Sequence, residues 1–66
     1  MNMLQAMDKA KELLAGFSEP GKVESITLDE LHDGYGLFVD FKDGSRKIYK
    51  YSEEQNAFVF EKDIEF

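Results

Sequence analysis

His32 has the widest chemical repertoire of any residue in this chain, and it lies among carboxylates in Asp29-Glu30-Leu31-His32-Asp33. A carboxylate that orients an imidazole is the beginning of a general base, but catalysis also needs a concave pocket and a positioned partner. Here the histidine runs straight into Asp33-Gly34, a tight-turn signal, so an exposed side chain is expected. Asp40-Phe41-Lys42-Asp43-Gly44 has the look of a calcium loop. Placing Gly44 at the sixth position of such a loop makes Val39 the first ligand, and the match fails.

The chain has no cysteine, hence no disulfide and no thiolate to act as nucleophile or metal ligand. With a single histidine, a zinc site would need unusual carboxylate ligation. No glycine-rich phosphate loop and no Gly-x-Ser-x-Gly elbow is present. Ser18, Ser25, Ser45 and Ser52 have no base beside them. The expectation is a chain without catalytic, cofactor or metal residues, and not an enzyme.

Charge narrows the partners. The net charge is −6 over 66 residues. Residues 1–17 are balanced by Asp8, Glu12, Lys9 and Lys11, so the excess falls on residues 18–66. Glu24, Asp29, Glu30 and Asp33 form one acidic run, and Glu53, Glu54, Glu61, Asp63 and Glu65 another, with Lys42, Arg46, Lys47 and Lys50 between them. Such a chain opposes direct nucleic-acid binding, in which phosphate attraction supplies much of the affinity. No apolar stretch approaches the roughly 18 residues of a membrane span, and no basic N-terminal region precedes an apolar run. A cytoplasmic protein is expected, host cytoplasm included if the chain is virus-encoded.

The elements follow from periodicity. Met3, Met7, Ala10, Leu14 and Phe17 recur at helical spacing, with polar residues between them, predicting an amphipathic helix over about 3–15. Asn2 and Gln5 have capping-box spacing, and Gly16 suits a C′ position before Ser18-Glu19-Pro20-Gly21. Beyond it, Asp33-Gly34 and Asp43-Gly44 signal two hairpins. Strands are predicted at about 23–32, 35–42, 45–51 and 57–66. The whole chain, 1–66, reads as a single α+β domain with the helix on one face of a four-stranded antiparallel meander, order 1-2-3-4.

Treating each Asp-Gly as a two-residue loop sets Leu28 opposite Val39, Val39 opposite Ile48 and Phe38 opposite Tyr49. Ile26, Leu28, Leu37, Val39, Phe41 and Ile48 then share the helix-covered face. If Tyr51 opposes Ala57, Phe58 and Phe60 join them, with Ile64 and Phe66 in the same parity, and Lys47 falls between Asp40 and Glu61. One helix covers one side of a sheet, so the other side is left with Leu31, Phe38, Tyr49, Tyr51 and Val59. A contiguous aromatic patch facing water marks an interface.

The functional expectation is a small acidic, non-enzymatic protein–protein interaction module. It acts through that outer face, on another protein or on a second copy of itself as a homodimer. The alternative is a phage-type inhibitor, a DNA mimic presenting Glu24, Asp29, Glu30 and Asp33 to a nucleic-acid-binding protein.

Overall fold

The computed structural model describes residues 1–65. Helix α1 spans Met3–Ala15, a 3-10 turn spans Pro20–Lys22, and four strands follow: β1 (Val23–Leu31), β2 (Gly34–Phe41), β3 (Arg46–Ser52) and β4 (Ala57–Ile64). The strands form one antiparallel sheet in the order β1-β2-β3-β4, with α1 against one face. This is the α+β meander that the sequence predicts. The expected placement of Phe66 lies outside the described residues.

The helix begins where its donors can be satisfied. Asn2 Oδ1 accepts from the Gln5 amide and Gln5 Oε1 accepts from the Asn2 amide, both at 2.9 Å, closing the capping box. Gly16 ends the helix with φ of −88°, in right-handed backbone, so its freedom to adopt positive φ goes unused. Pro20 then starts the 3-10 turn that delivers the chain to β1.

The line of contact on α1 differs from the expected one. Ala6 and Ala10 are the buried helix residues, flanked by half-buried Leu13, Leu14 and Phe17, whereas Met3 and Met7 lie on the exposed rim. The cause is volume. The sheet contributes the bulky side chains Leu37, Val39, Tyr49 and Phe58 to the core, and only alanines let the helix backbone come close enough to seal them. Leu37 and Val39 are the largest fully buried side chains; each is worth about 1.5–3 kcal/mol. An aromatic row extends the core toward β4: Phe17 stacks on Phe41, and Tyr49 meets Phe60 edge-on at 5.8 Å.

The sheet register departs from the expected one at all three turns. Between β1 and β2, Leu31 pairs with Gly34 and Leu28 with Leu37, so the loop is His32-Asp33 with Gly34 after it. Neither loop residue has positive φ, and Gly34 at φ 144° takes the place after the turn that glycine favours. The slip is two residues, which leaves every side chain on its expected face.

The second turn slips by one. The Phe41 amide donates to the Ser45 carbonyl (2.9 Å), and the Gly44 amide donates to the Phe41 carbonyl (3.0 Å). That makes a three-residue loop, a tight turn followed by a glycine at φ 92°. The Asp43 carboxylate holds it by accepting from the Ser45 amide and hydroxyl, at 2.9 and 2.6 Å. Leu37 therefore pairs with Tyr49 and Phe38 with Ile48. The slip turns β3 over: Tyr49 enters the core under α1, and Ile48 leaves it.

At the third turn Ser52 pairs with Ala57 and Tyr51 with Phe58, again one residue from the expected register. This slip offsets the previous one and returns Phe58 and Phe60 to the helix side, as expected. Asn56 adopts φ 53° in this loop, and its Oδ1 accepts from the Tyr51 hydroxyl at 2.6 Å. A bulge then follows, because Tyr49 pairs with Phe60 but Ile48 with Lys62. The extra residue, Glu61, reverses parity and puts Ile64 opposite Arg46 on the outer side. Lys47 pairs with Asp63 on the helix side, not with Asp40 and Glu61.

Candidate interaction surface

The sheet face away from α1 is crossed by four rows of cross-strand neighbours. From one end they read Ser25–Asp40–Arg46–Ile64, Thr27–Phe38–Ile48–Lys62, Asp29–Gly36–Lys50–Val59 and Leu31–Gly34 followed by Ser52–Ala57. Among the described residues, no other element packs on this face. Its apolar members run as a diagonal band from Leu31 on β1, through Phe38 and Ile48, to Val59 and Ile64 on β4. Leu31 is 37% exposed, and the other four are half-buried by their neighbours within the sheet.

Gly36 makes the band continuous. A Cβ at this position would come within 2.9 Å of Leu31 Cδ1 and 3.7 Å of Phe38 Cε2. The missing side chain lets Leu31 and Phe38 close over the backbone between them. Arg46 lies over the Phe38 ring, 5.5 Å from its centroid, and donates through Nε and Nη2 to Asp40 at 2.6 and 3.3 Å. Ser25 Oγ adds a bond to the same carboxylate (3.3 Å). The Arg46 hydrogen bonds hold the Asp40 carboxyl below its ordinary range. Asp40 thus fixes the guanidinium over an apolar ring, which presents a charge and an aromatic side chain together on the open face.

Of the residues the sequence assigns to this patch, Leu31, Phe38 and Val59 are on it. Tyr49 and Tyr51 are not. Tyr49 is 8% exposed and lies between Phe17 and Phe60, with burial pushing its phenol pKa up; Tyr51 meets Phe58 edge-on at 5.6 Å on the helix side. Their places are taken by Ile48 and Lys50. Ile64 also joins the band, through a bulge for which the sequence carries no signal beyond the loss of alternation after Phe60.

The acidic set is divided. Asp29 lies on the open face, Glu30 on the helix side, and Glu24 at the bulge where β1 pairing shifts. Asp33 sits in the first turn and accepts from Lys50 Nζ at 2.7 Å, which lowers its pKa. These four carboxylates make no common surface.

No protein-family model matches the chain, and no curated protein or solved structure matches it either.

Elsewhere the surface offers little chemistry. A hollow of about 400 Å³ opens at the end of α1, lined by Phe17, Phe41, Tyr49, Lys22, Glu19 and Lys47. Its charges are engaged: Lys22 with Glu19, and Lys47 with Asp63 at 3.1 Å and over the Phe60 ring. His32 is exposed in the first turn. Among the described residues, no group of three His, Cys, Asp or Glu side chains is placed to hold a metal ion, and no helix is long and apolar enough to cross a membrane.

Proposed function

We propose that this protein acts by contact and not by catalysis, as a small binding module whose working surface is the open sheet face. The observation that carries the reading is the apolar band Leu31–Phe38–Ile48–Val59–Ile64, which no element of the described chain covers. Apolar surface costs free energy in water unless something covers it, and contiguous patches of this kind mark contact sites. An arginine held over the Phe38 ring, beside the band, supplies residue types enriched at interfaces. The carboxylate-mimic reading lacks comparable support, because its four acids are spread over both faces, a bulge and an ion-paired turn.

Replacing Phe38, or Phe60, with photoreactive benzoylphenylalanine tests which surface is in use. Phe60 is 52% exposed on the helix side and serves as the control. Irradiation in the native cell should give discrete protein adducts from position 38 and few from position 60. Equal yields at the two positions, or none at 38, would overturn the assignment of the surface.

A further inference from the structure

We infer that the occupant of the open face is a second copy of this chain, related by a twofold axis that runs parallel to the strands between β2 and β3. The inference rests on the reading of the open face as a contact surface and supplies its partner. Three observations lead to it.

The first is the distribution of charge across the face. The β1–β2 half carries Asp29 and Asp40. The β3–β4 half carries Arg46, Lys50 and Lys62 against one carboxylate, Glu61, which lies close enough to Lys50 to act on its titration. Asp40 pairs with Arg46, and Asp33 with Lys50, across the midline, so each ion pair is a dipole with its acid on the β1–β2 side and its base on the β3–β4 side. Two copies can meet face to face about an axis along the strands or an axis across them. The axis along the strands lays β1–β2 of one copy over β3–β4 of the other, so acid meets base on both sides. The axis across them lays like over like. Charge complementarity selects the first.

The second is what that axis does to the apolar band. Phe38 and Ile48 are cross-strand partners on either side of the midline. The operation therefore sets Phe38 over the partner's Ile48 and Ile48 over the partner's Phe38, a four-residue cluster at the centre. Aligned sheet packing rotates the two strand directions by about 30°, which displaces the corners but hardly moves residues next to the axis.

The third is size. Four strands at ~4.8 Å spacing and eight residues at ~3.4 Å rise give a face of roughly 500 Å², so two copies bury about 1,000 Å². That full-overlap area sits near the roughly 1,000 Å² threshold, in the range of weak, reversible interfaces, and it doubles the sheet layers in a fold with few fully buried side chains. Pairing through the β1 edge would instead align Glu24, Asp29 and Glu30 of two copies, a strand that carries no base.

Sedimentation equilibrium on the purified protein tests the inference. The wild type should dimerise reversibly, with a dissociation constant that rises with salt. D40R and R46D, each checked for native circular dichroism, should each weaken the dimer at least tenfold. Mixed one to one, their all-basic and all-acidic centres should restore dimer of mixed composition. Because the chain has no cysteine, Thr27→Cys and Lys62→Cys report on the axis without altering its centre. A short bis-maleimide should link the mixture of the two and neither protein alone.

A wild type that stays monomeric up to millimolar concentration, unaltered dimerisation of D40R and R46D, or Thr27→Cys linking to itself would each overturn the second copy or its axis. None of these outcomes touches the photo-adducts at position 38, which would then carry a different protein. Absence of those adducts alongside an intact dimer insensitive to Asp40 and Arg46 would remove both readings.

Discussion

Tyr49→Ala and Phe38→Ala should differ sharply in cost, because the β2–β3 register puts one ring inside and the other outside. Tyr49 is 8% exposed and contacts Phe17 and Phe60. Truncating a buried aromatic to alanine costs about 3–5 kcal/mol through lost burial and the cavity left behind. The hydroxyl end of Tyr49 is nearer solvent than a core phenylalanine would be, so the lower end, about 3–4 kcal/mol, applies here. Phe38 is half-buried. It loses roughly half of a 1.5–3 kcal/mol burial and about 0.5–1 kcal/mol with Arg46, giving about 1.3–2.5 kcal/mol.

Against a total of roughly 3–10 kcal/mol for a chain this long, the first change brings the fold close to failure and the second does not. At about 4–8 °C per kcal/mol, Tyr49→Ala should lower Tm by some 12 °C or more, and Phe38→Ala by distinctly less. The assay is urea and thermal unfolding followed by circular dichroism at low micromolar protein, repeated after tenfold dilution so that self-association does not enter the comparison. Equal costs, or a larger cost for Phe38, would refute the register and the surface built on it.

Asn2→Ala removes one half of the capping box and should cost about 1 kcal/mol, read as a lower urea midpoint with unchanged slope. Asn56→Gly relieves a positive φ but deletes the acceptor of the Tyr51 hydroxyl; the two effects oppose, whereas Asn56→Val suffers both losses and should unfold at clearly lower urea than Asn56→Gly. Asp33, Asp40 and Asp43 have folded pKa values below their ordinary ones, through Lys50, Arg46 and Ser45 respectively. Each therefore adds stability that is present above about pH 4 and is lost as pH falls through the lowered folded values. The effect is modest because the groups are exposed, and Asp40→Asn should flatten the acid limb of stability against pH. Burial raises the Tyr49 pKa, so folding favours the neutral phenol. That stability is intact below about pH 10 and is lost as pH rises through the folded value. Tyr49→Phe should shift alkaline unfolding to higher pH.

The fold class, the helix limits and the strand order were legible because each rests on a pattern several residues long: the 3.6-residue stripe of α1, the Asn2–Gln5 box, and alternating strands between turn signals. Register was less legible, because it hangs on single turn residues. Asp33-Gly34 and Asp43-Gly44 look alike in sequence, yet neither serves as the two central residues of its loop. In the first, the glycine follows the turn; in the second, the Asp43 side chain binds Ser45 and lengthens the loop by one. The clue was Ser45, whose amide and hydroxyl can both donate to an aspartate two residues earlier. The bulge at Glu61 left a fainter trace, since Glu61-Lys62-Asp63 has no apolar member to show which way it faces.

Hydrophobic patterning usually corrects a one-residue slip, because it exposes one face and buries charge on the other. Strand β3 escapes that correction. Its sequence, Arg46-Lys47-Ile48-Tyr49-Lys50-Tyr51, carries similar residue types at adjacent positions, so either phase offers the core an apolar side chain and the other face a base. What decides is shape. Tyr49 beneath α1 reaches Phe17 and Phe60, in a row that already contains Phe41, and a tyrosine there can keep its hydroxyl near water. Isoleucine in that place would fill less of the same space, whereas on the open face it is the cross-strand neighbour of Phe38. The same choice determines the chemistry of the open face. It exchanges Lys47, Tyr49 and Tyr51 for Arg46, Ile48 and Lys50, and so places a guanidinium on an aromatic ring beside Asp40. The charge asymmetry that selects the dimer axis therefore follows from the same loop that buries Tyr49. A variant that shortens the 42–44 loop by one residue should disturb both together.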